Sequence, residues 1–266
     1  MNTTSLDTIA RALCNTMGID PPPQSAPACE ELTSYITSVF GSEKADRIFM
    51  YNPDAIGQWI YEKYPQLFKE TVNCTDLAVP FLSPMPSVTP VCFATIYSGV
   101  QPEVHGIQKY EKPTLKAHTV FDSVIAAGKK AAIVAFHTCT ISKIFRERDM
   151  DYFTYGTLDE VHAKAAELIL KDEYDFIAVH AWNYDSVMHK HGPESLEALS
   201  EARVNSRAYA SFDALIRTHW KHHNTVLGFA MDHGCHEIDG NCGSHGLDMP
   251  EDRNIVHFYK AYKAEN

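Results

Sequence analysis

The chain has 266 residues, 45% of them apolar, enough to bury a full core as one domain or as one domain with a small insertion. Its net charge is −11 and its lysines and arginines form no run, which disfavours nucleic acid as a bulk partner. No run of about 18 apolar residues occurs, so no membrane partner is expected.

Residues 6–18 and 29–40 carry apolar side chains at helical spacing, Leu6, Ile9, Leu13 and Met17, then Leu32, Tyr35, Ile36, Val39 and Phe40. Pro21-Pro22-Pro23 separates them. They predict an N-terminal helical extension, 1–45, packed on a main domain, 46–266. The main domain opens with a strand at 48–51, a helix at 56–68 and a strand at 77–82. Helices follow at 90–97 and at 120–127, the latter ending at Gly128, and then a strand at 131–136. A helix at 158–170, a strand at 176–180, a long helix at 194–220 and strands at 225–231 and 255–259 complete the pattern. Strands alternating with helices predict an α/β fold, a mainly parallel sheet with helices on both faces. In such sheets ligands bind beyond the carboxyl ends of the strands. Asp54 and Asp185 lie just past predicted strands and Asp232 at the end of one, so three acids converge on one edge.

Asp185 and His189 are four apart, which puts both on one face of a helical turn. The plainer alternative is a polar loop before the 194–220 helix, with Asp185 as its cap. Asp232-His233 ends an apolar run, where a buried Asp is costly without a charge partner. His245 lies between Gly243 and Gly246, in a loop whose small residues permit close backbone approach; a mobile surface histidine is the alternative. Together these are oxygen and nitrogen ligands of the kind Zn²⁺ or Mn²⁺ takes. Three such clusters in order suggest a hydrolase with more than one metal, acting on a small phosphorylated molecule whose charge the metals would meet. Thr89-Pro90 reads as a helix start, Thr89 as N-cap and Pro90 at N1. A threonine hydroxyl there can also be a nucleophile, because the helix N-terminus offers N–H groups and partial positive charge to an anion.

The stretch from Met85 to Ile107 resembles the nucleophile segment of nucleotide pyrophosphatase/phosphodiesterases, in the alkaline phosphatase superfamily, with Thr89 on the nucleophile. Asp185-Ser-Val-Met-His189-Lys-His-Gly-Pro, Asp232-His233-Gly234 and His245-Gly246 match the family's ligand motifs. The family's first acid ends the first strand and is usually followed by Gly; Asp54 holds that place, with Ala55 after it. The resemblance runs from residue 46 to the C-terminus and implies an alkaline phosphatase-like fold with minimal or no cap insertion. It implies two divalent ions, Zn²⁺ or Mn²⁺, one on Asp54, Asp232, His233 and the Thr89 oxygen, the other on Asp185, His189 and His245. The activity it implies is hydrolysis of a phosphodiester or nucleotide pyrophosphate through a covalent phospho-threonine.

Two positions depart from the family pattern. Tyr110 replaces an Asn that helps hold a phosphoryl oxygen, and Cys92 replaces another Asn. Lys109 and Lys112 beside Tyr110 read as a solvated loop. His105, His191 and His236 are assigned to packing or support. With few lysines and no arginine in the motifs, the sequence leans toward diesters or pyrophosphates with an apolar or aromatic leaving group, which Phe93, Tyr110 or Trp182 would stack. The rival enzymes are a phosphomonoesterase, a phosphonate hydrolase or a phosphomutase on the same metal pair. The rival of another class is a catalytically silent binding protein, against which the full set of site residues argues. Seven irregularly spaced cysteines and a start without a basic, then apolar, leader predict a cytoplasmic protein with reduced thiols. Cys235 and Cys242 lack a second close thiol pair, so a structural zinc is not expected.

Overall fold

The computed structural model describes residues 1–265. The chain opens with a short strand, β1 (Thr4–Ser5), and helices α1 (Thr8–Met17) and α2 (Glu30–Phe40). Next come β2 (Arg47–Pro53), α3 (Gln58–Lys63), a 3₁₀ turn at Pro65–Leu67, α4 (Lys69–Asn73) and β3 (Leu77–Leu82). They are followed by α5 (Thr89–Ser98), α6 (Pro102–His105), α7 (Val120–Ala126), β4 (Ala131–Phe136), α8 (Ile141–Ile144), β5 (Asp151–Tyr155) and α9 (Leu158–Lys171). The last part holds β6 (Phe176–Ala181), α10 (Asn183–His191), α11 (Leu196–His219) and β7 (Thr225–Phe229). A small hairpin, β8 (His236–Ile238) and β9 (Cys242–Ser244), then α12 (Pro250–Arg253) and β10 (Asn254–Tyr262) end it.

Eight strands form one sheet in the order β1-β3-β10-β7-β2-β6-β4-β5. Only β10 runs against the others, pairing antiparallel with both β3 and β7. The α/β, mainly parallel architecture therefore stands as expected. β2 and its neighbours β6 and β7 are buried almost throughout, which is why they read as continuous apolar runs rather than alternating ones. Neighbouring residues of β2 show that both faces are covered. Tyr51 hydrogen-bonds His162 of α9 and Asn205 of α11, while the Asn52 side chain accepts from Tyr97 of α5. Successive strand side chains point to opposite faces, so α9 and α11 lie on one side and α5 on the other.

Within residues 1–45, β1 joins the edge of the sheet beside β3, and α1, whose Ile9 and Leu13 are fully buried, packs against α5 and α7. Three local expectations change, and one open alternative closes. The helix at 56–68 is two short helical pieces, because Gly57 caps α3 and Pro65, with no N–H to give, restarts the chain as a 3₁₀ turn. The long helix begins at Leu196 rather than at 194, with the Ser195 hydroxyl accepting from the Ala198 N–H. The segment before it is a helix of its own, α10, not a loop. β7 ends at Phe229, which leaves Ala230 to His233 as irregular chain beyond the strand. No helix among the described residues is long and apolar enough to cross a membrane.

Candidate metal centre

Three adjacent strands, β7, β2 and β6, aim their carboxyl ends at one place. Asp54 follows the middle strand, its N–H still bonded to Ala181 O of β6 at 3.0 Å. Asp232 and His233 follow β7 on one side, and Asp185 follows β6 on the other, in the first turn of α10. Acids from the two flanking strands therefore bracket the central one. Two donor groups result, Asp54 with Asp232 and His233, and Asp185 with His189 and His245. Within each, the ligand-type atoms lie within 4.8 Å of one another. The groups touch through two tilted imidazoles, with His233 and His245 ring centres 4.1 Å apart.

Each histidine is oriented from behind. The Nδ1 atoms of His189, His233 and His245 meet the carbonyl oxygens of Gly243, Gly234 and Ser87 at 2.9, 2.9 and 3.1 Å. A carbonyl only accepts, so Nδ1 carries a proton in all three and Nε2 is turned toward the carboxylates. His189 Nε2 and His245 Nε2 lie 3.2 and 3.4 Å from Asp185 Oδ1, and His233 Nε2 lies 3.3 Å from Asp232 Oδ2. This arrangement, one ring nitrogen anchored and the other presented, is the one that metal-ligating histidines adopt.

The carboxylates give an independent test of fit. Asp185 Oδ1 and Asp232 Oδ2, one in each group, are buried and receive no well-directed hydrogen bond. Unsatisfied buried carboxylate oxygens are costly, and a divalent cation is the partner that would satisfy them. Burial, reinforced by Asp232 and Asp185, pushes the Asp54 carboxyl up to about 6. Burial likewise pushes Asp232 up to about 6. Burial, with His245 nearby, takes His233 down to about 4, so it is a neutral, lone-pair donor. Against the cost of its own burial, Asp185 is held well below the usual carboxylate range by His189 and His245. The donor set of carboxylate oxygens and imidazole nitrogens, without thiolate, suits Zn²⁺ or Mn²⁺.

Thr89 completes the centre, without the helix-capping role that was its alternative. Val88, not Thr89, is the N-cap of α5, and Thr89 and Pro90 are the first two helical residues. Instead of capping, the nearly buried Thr89 hydroxyl lies 3.4 Å from Asp54 Oδ1 and 3.2 Å from His233 Nε2. A hydroxyl at a helix start feels the partial positive charge of that terminus.

Sequence reasoning missed one participant. His180, the fifth residue of β6, donates from Nε2 to Asp54 Oδ2 at 3.0 Å and is fully enclosed. Burial opposes the charged form, but Cys139 and the Asp54 carboxylate hold this imidazole well above its ordinary range. The only signal in the sequence is a histidine near the end of an apolar strand, which any core histidine would share. Of the histidines assigned to packing or support, His105 bonds Thr95 Oγ1 and the Ile107 N–H and His236 bonds Asp252, whereas His191 is exposed and packs against nothing in the site. Phe93 does not line the site as a stacking surface; it is core, edge-on to His180.

Ala55 explains the glycine expected after the first acid. It sits at φ 64°, in the left-handed region, so that its N–H can reach Asp232 Oδ1 at 3.1 Å. An alanine there costs about 1–2 kcal/mol, against the roughly 0.5–1 kcal/mol that glycine loses in chain freedom. Ala55→Gly should therefore raise the denaturant midpoint slightly. A lowered midpoint would show that this backbone is not strained.

The model of the type I phosphodiesterase / nucleotide pyrophosphatase family matches residues 52–257, most of the chain and every site residue above. Among solved structures, murine ectonucleotide pyrophosphatase/phosphodiesterase 5 superposes with a TM-score of 0.58 at 16% identity, over 73% of this chain and 58% of that one. An inactive variant of it, in complex with AMP, gives a TM-score of 0.57 at 15% identity, over 73% of this chain and 59% of that one. Phosphonoacetate hydrolase from Sinorhizobium meliloti, in complex with phosphonoformate, gives 0.53 at 18% identity, over 74% of this chain and 59% of that one. This chain thus spans less than two thirds of the length of these neighbours, and at such identities they share its fold. No curated protein matches it. On the family match, this chain is a member of the type I phosphodiesterase / nucleotide pyrophosphatase family.

Proposed function

We propose that this protein is a two-metal hydrolase that cleaves a phosphodiester or a nucleotide pyrophosphate through a phospho-threonine at Thr89. The observation that carries the reading is the Thr89 hydroxyl, free of any capping bond and held between Asp54 and His233 at the meeting point of two ligand groups. Asp54, Asp232, His233 and the Thr89 oxygen would hold one ion, and Asp185, His189 and His245 the other. Zn²⁺ is the first choice and Mn²⁺ the second. When bound, such a pair acidifies the attacking hydroxyl and offsets charge that builds on the phosphoryl oxygens.

The chain's own residues do the rest. Thr89 Oγ1 attacks phosphorus, the P–O bond to the leaving group breaks, and water then cleaves the threonine ester and restores the hydroxyl. The N-terminus of α5 adds partial positive charge beside the phosphoryl oxygens. His180 ties up Asp54 Oδ2 and so leaves Oδ1 facing Thr89. Asp185, buried against His189 and His245, stays ionised and holds their Nε2 atoms on the far side of the centre. The AMP complex of the murine neighbour supports a small phosphorylated substrate. All seven cysteines are free, which supports a reducing, cytoplasmic location.

Hydrolysis of bis(para-nitrophenyl) phosphate should disappear on exhaustive chelation and return with Zn²⁺ or Mn²⁺. Full activity after chelation would exclude the mechanism. Comparing kcat/KM for matched mono- and diesters tests the substrate half of the reading. A monoester preference of about tenfold, roughly 1.4 kcal/mol, would place the enzyme with the phosphomonoesterases.

A further inference from the structure

A cavity of about 430 Å³ opens onto Thr89, Asp54 and Asp185, and its outer wall carries Lys112 and Lys190. The sequence reads Lys112 as part of a solvated loop; the structure instead brings it to the cavity, while Lys109 pairs with Glu111 outside it. Neither cavity lysine is in an ion pair among the described residues, although Lys63, Lys116, Lys129 and Lys164 all find acids. The two come from different elements, Lys112 from the loop after α6 and Lys190 from the last turn of α10. Two like charges therefore line one open cavity, Lys112 with its ammonium over the ring of Tyr110 and Lys190 exposed.

Charge balance says what they face. On the proposed reading of the site, two divalent ions already outweigh the charges of Asp54, Asp185 and Asp232, and a simple phosphodiester brings only a single negative one. The two lysines are surplus to that balance. A further anionic group on the substrate would use them, in charge-assisted hydrogen bonds. The same cavity is lined by Trp182, stacked on Phe136 with ring centres 4.6 Å apart, a flat apolar surface for the part of the substrate that links its two anions. The volume is at the small end for ligand cavities, which run from about 300 to 1,000 Å³.

We propose that Lys112 and Lys190 form an anion subsite that selects compact substrates carrying a second phosphate or a carboxylate beyond the scissile phosphoryl group. This rests on the hydrolase reading above for the position of that phosphoryl group. It also revises the lean toward leaving groups that are only apolar or aromatic.

The test is calorimetric binding to the metal-loaded protein, with metal content measured alongside. The probes are methylphosphonate, with one anionic group, methylenediphosphonate, with a second phosphonate, and phosphonoacetate, with a carboxylate. The wild type should prefer at least one of the two-anion probes over methylphosphonate by about tenfold or more. Whichever probe is preferred identifies phosphate or carboxylate as the second group. In the double variant Lys112→Gln, Lys190→Gln the preference should collapse. Lys116→Gln, which removes an exposed charge paired with Glu147 elsewhere, should keep it. No preference in the wild type, or a preference that survives the double substitution, overturns the subsite. Failure of the hydrolase reading shows separately, as absent turnover of bis(para-nitrophenyl) phosphate by the metal-loaded wild type.

Discussion

Thr89→Ala is expected to lower turnover by at least about a thousandfold, roughly 4 kcal/mol of barrier, while the protein still melts cooperatively. The substitution removes the attacking oxygen and little else. Val88 is the cap of α5 and the Thr89 side chain makes no capping bond, so the about 0.5–2 kcal/mol of a lost cap does not apply. What is lost is one buried methyl group, about 1 kcal/mol, against a typical domain stability of about 5–15 kcal/mol. The remaining donors, Asp54, Asp232 and His233, are untouched, so metal binding should persist. Thr89→Ser keeps a hydroxyl and should retain a measurable part of the rate, which a purely structural role for Thr89 does not predict. If Thr89→Ala keeps more than about a tenth of the wild-type kcat, the hydroxyl is not the nucleophile.

The positions of the acids were legible because a parallel sheet converts chain order into geometry. Asp54, Asp185 and Asp232 follow apolar runs that could only be buried strands, and β7, β2 and β6 prove to be neighbours. His189 was legible from spacing alone once Asp185 was placed, since α10 brings residues four apart to one face. What could not be read depends on long-range partners. β5 is nowhere fully buried, its exposure does not alternate, and it pairs on one side only with β4, so it is invisible to periodicity. His180 looks like any core histidine until Asp54 is beside it.

The capping reading of Thr89 and the solvated-loop reading of Lys112 failed for a related reason. The sequence Thr-Pro satisfies the rules for a capped helix start, but the chain enters α5 one residue earlier, with Val88 extended. That one-residue shift turns the hydroxyl from the helix backbone to the carboxylates. Lys112 lies in a segment without regular structure, where sequence says nothing about which way the loop folds back. Both misreadings concern residues that face the cavity, where local preference gives way to the demands of the site.

The centre should also set stability against function, and Asp232→Asn exposes the conflict. Burial raises the Asp232 carboxyl from 3.8 to about 6 in the folded chain. An acid whose folded pKa is raised stabilises the fold only while protonated. Its cost is absent below about pH 4, grows between about 4 and 6, and is complete above 6, where it is bounded by about 3 kcal/mol. Asn keeps Oδ1, which accepts from the Ala55 and His233 N–H groups at 3.1 and 2.9 Å, and removes the charge at Oδ2. In chelator at about pH 8, Asp232→Asn should therefore melt at or above the wild type, by a few degrees at most. With Zn²⁺ in excess the order should reverse, because a cation that binds only the folded state raises the wild type and has lost a ligand in the variant. Turnover should fall by orders of magnitude. Near pH 4 the advantage in chelator should vanish, since Asp232 is then protonated in the folded wild type. Melting far below the wild type in chelator at about pH 8 would mean that Asp232 serves the fold rather than a metal, and the assignment of this group of donors would fall with it.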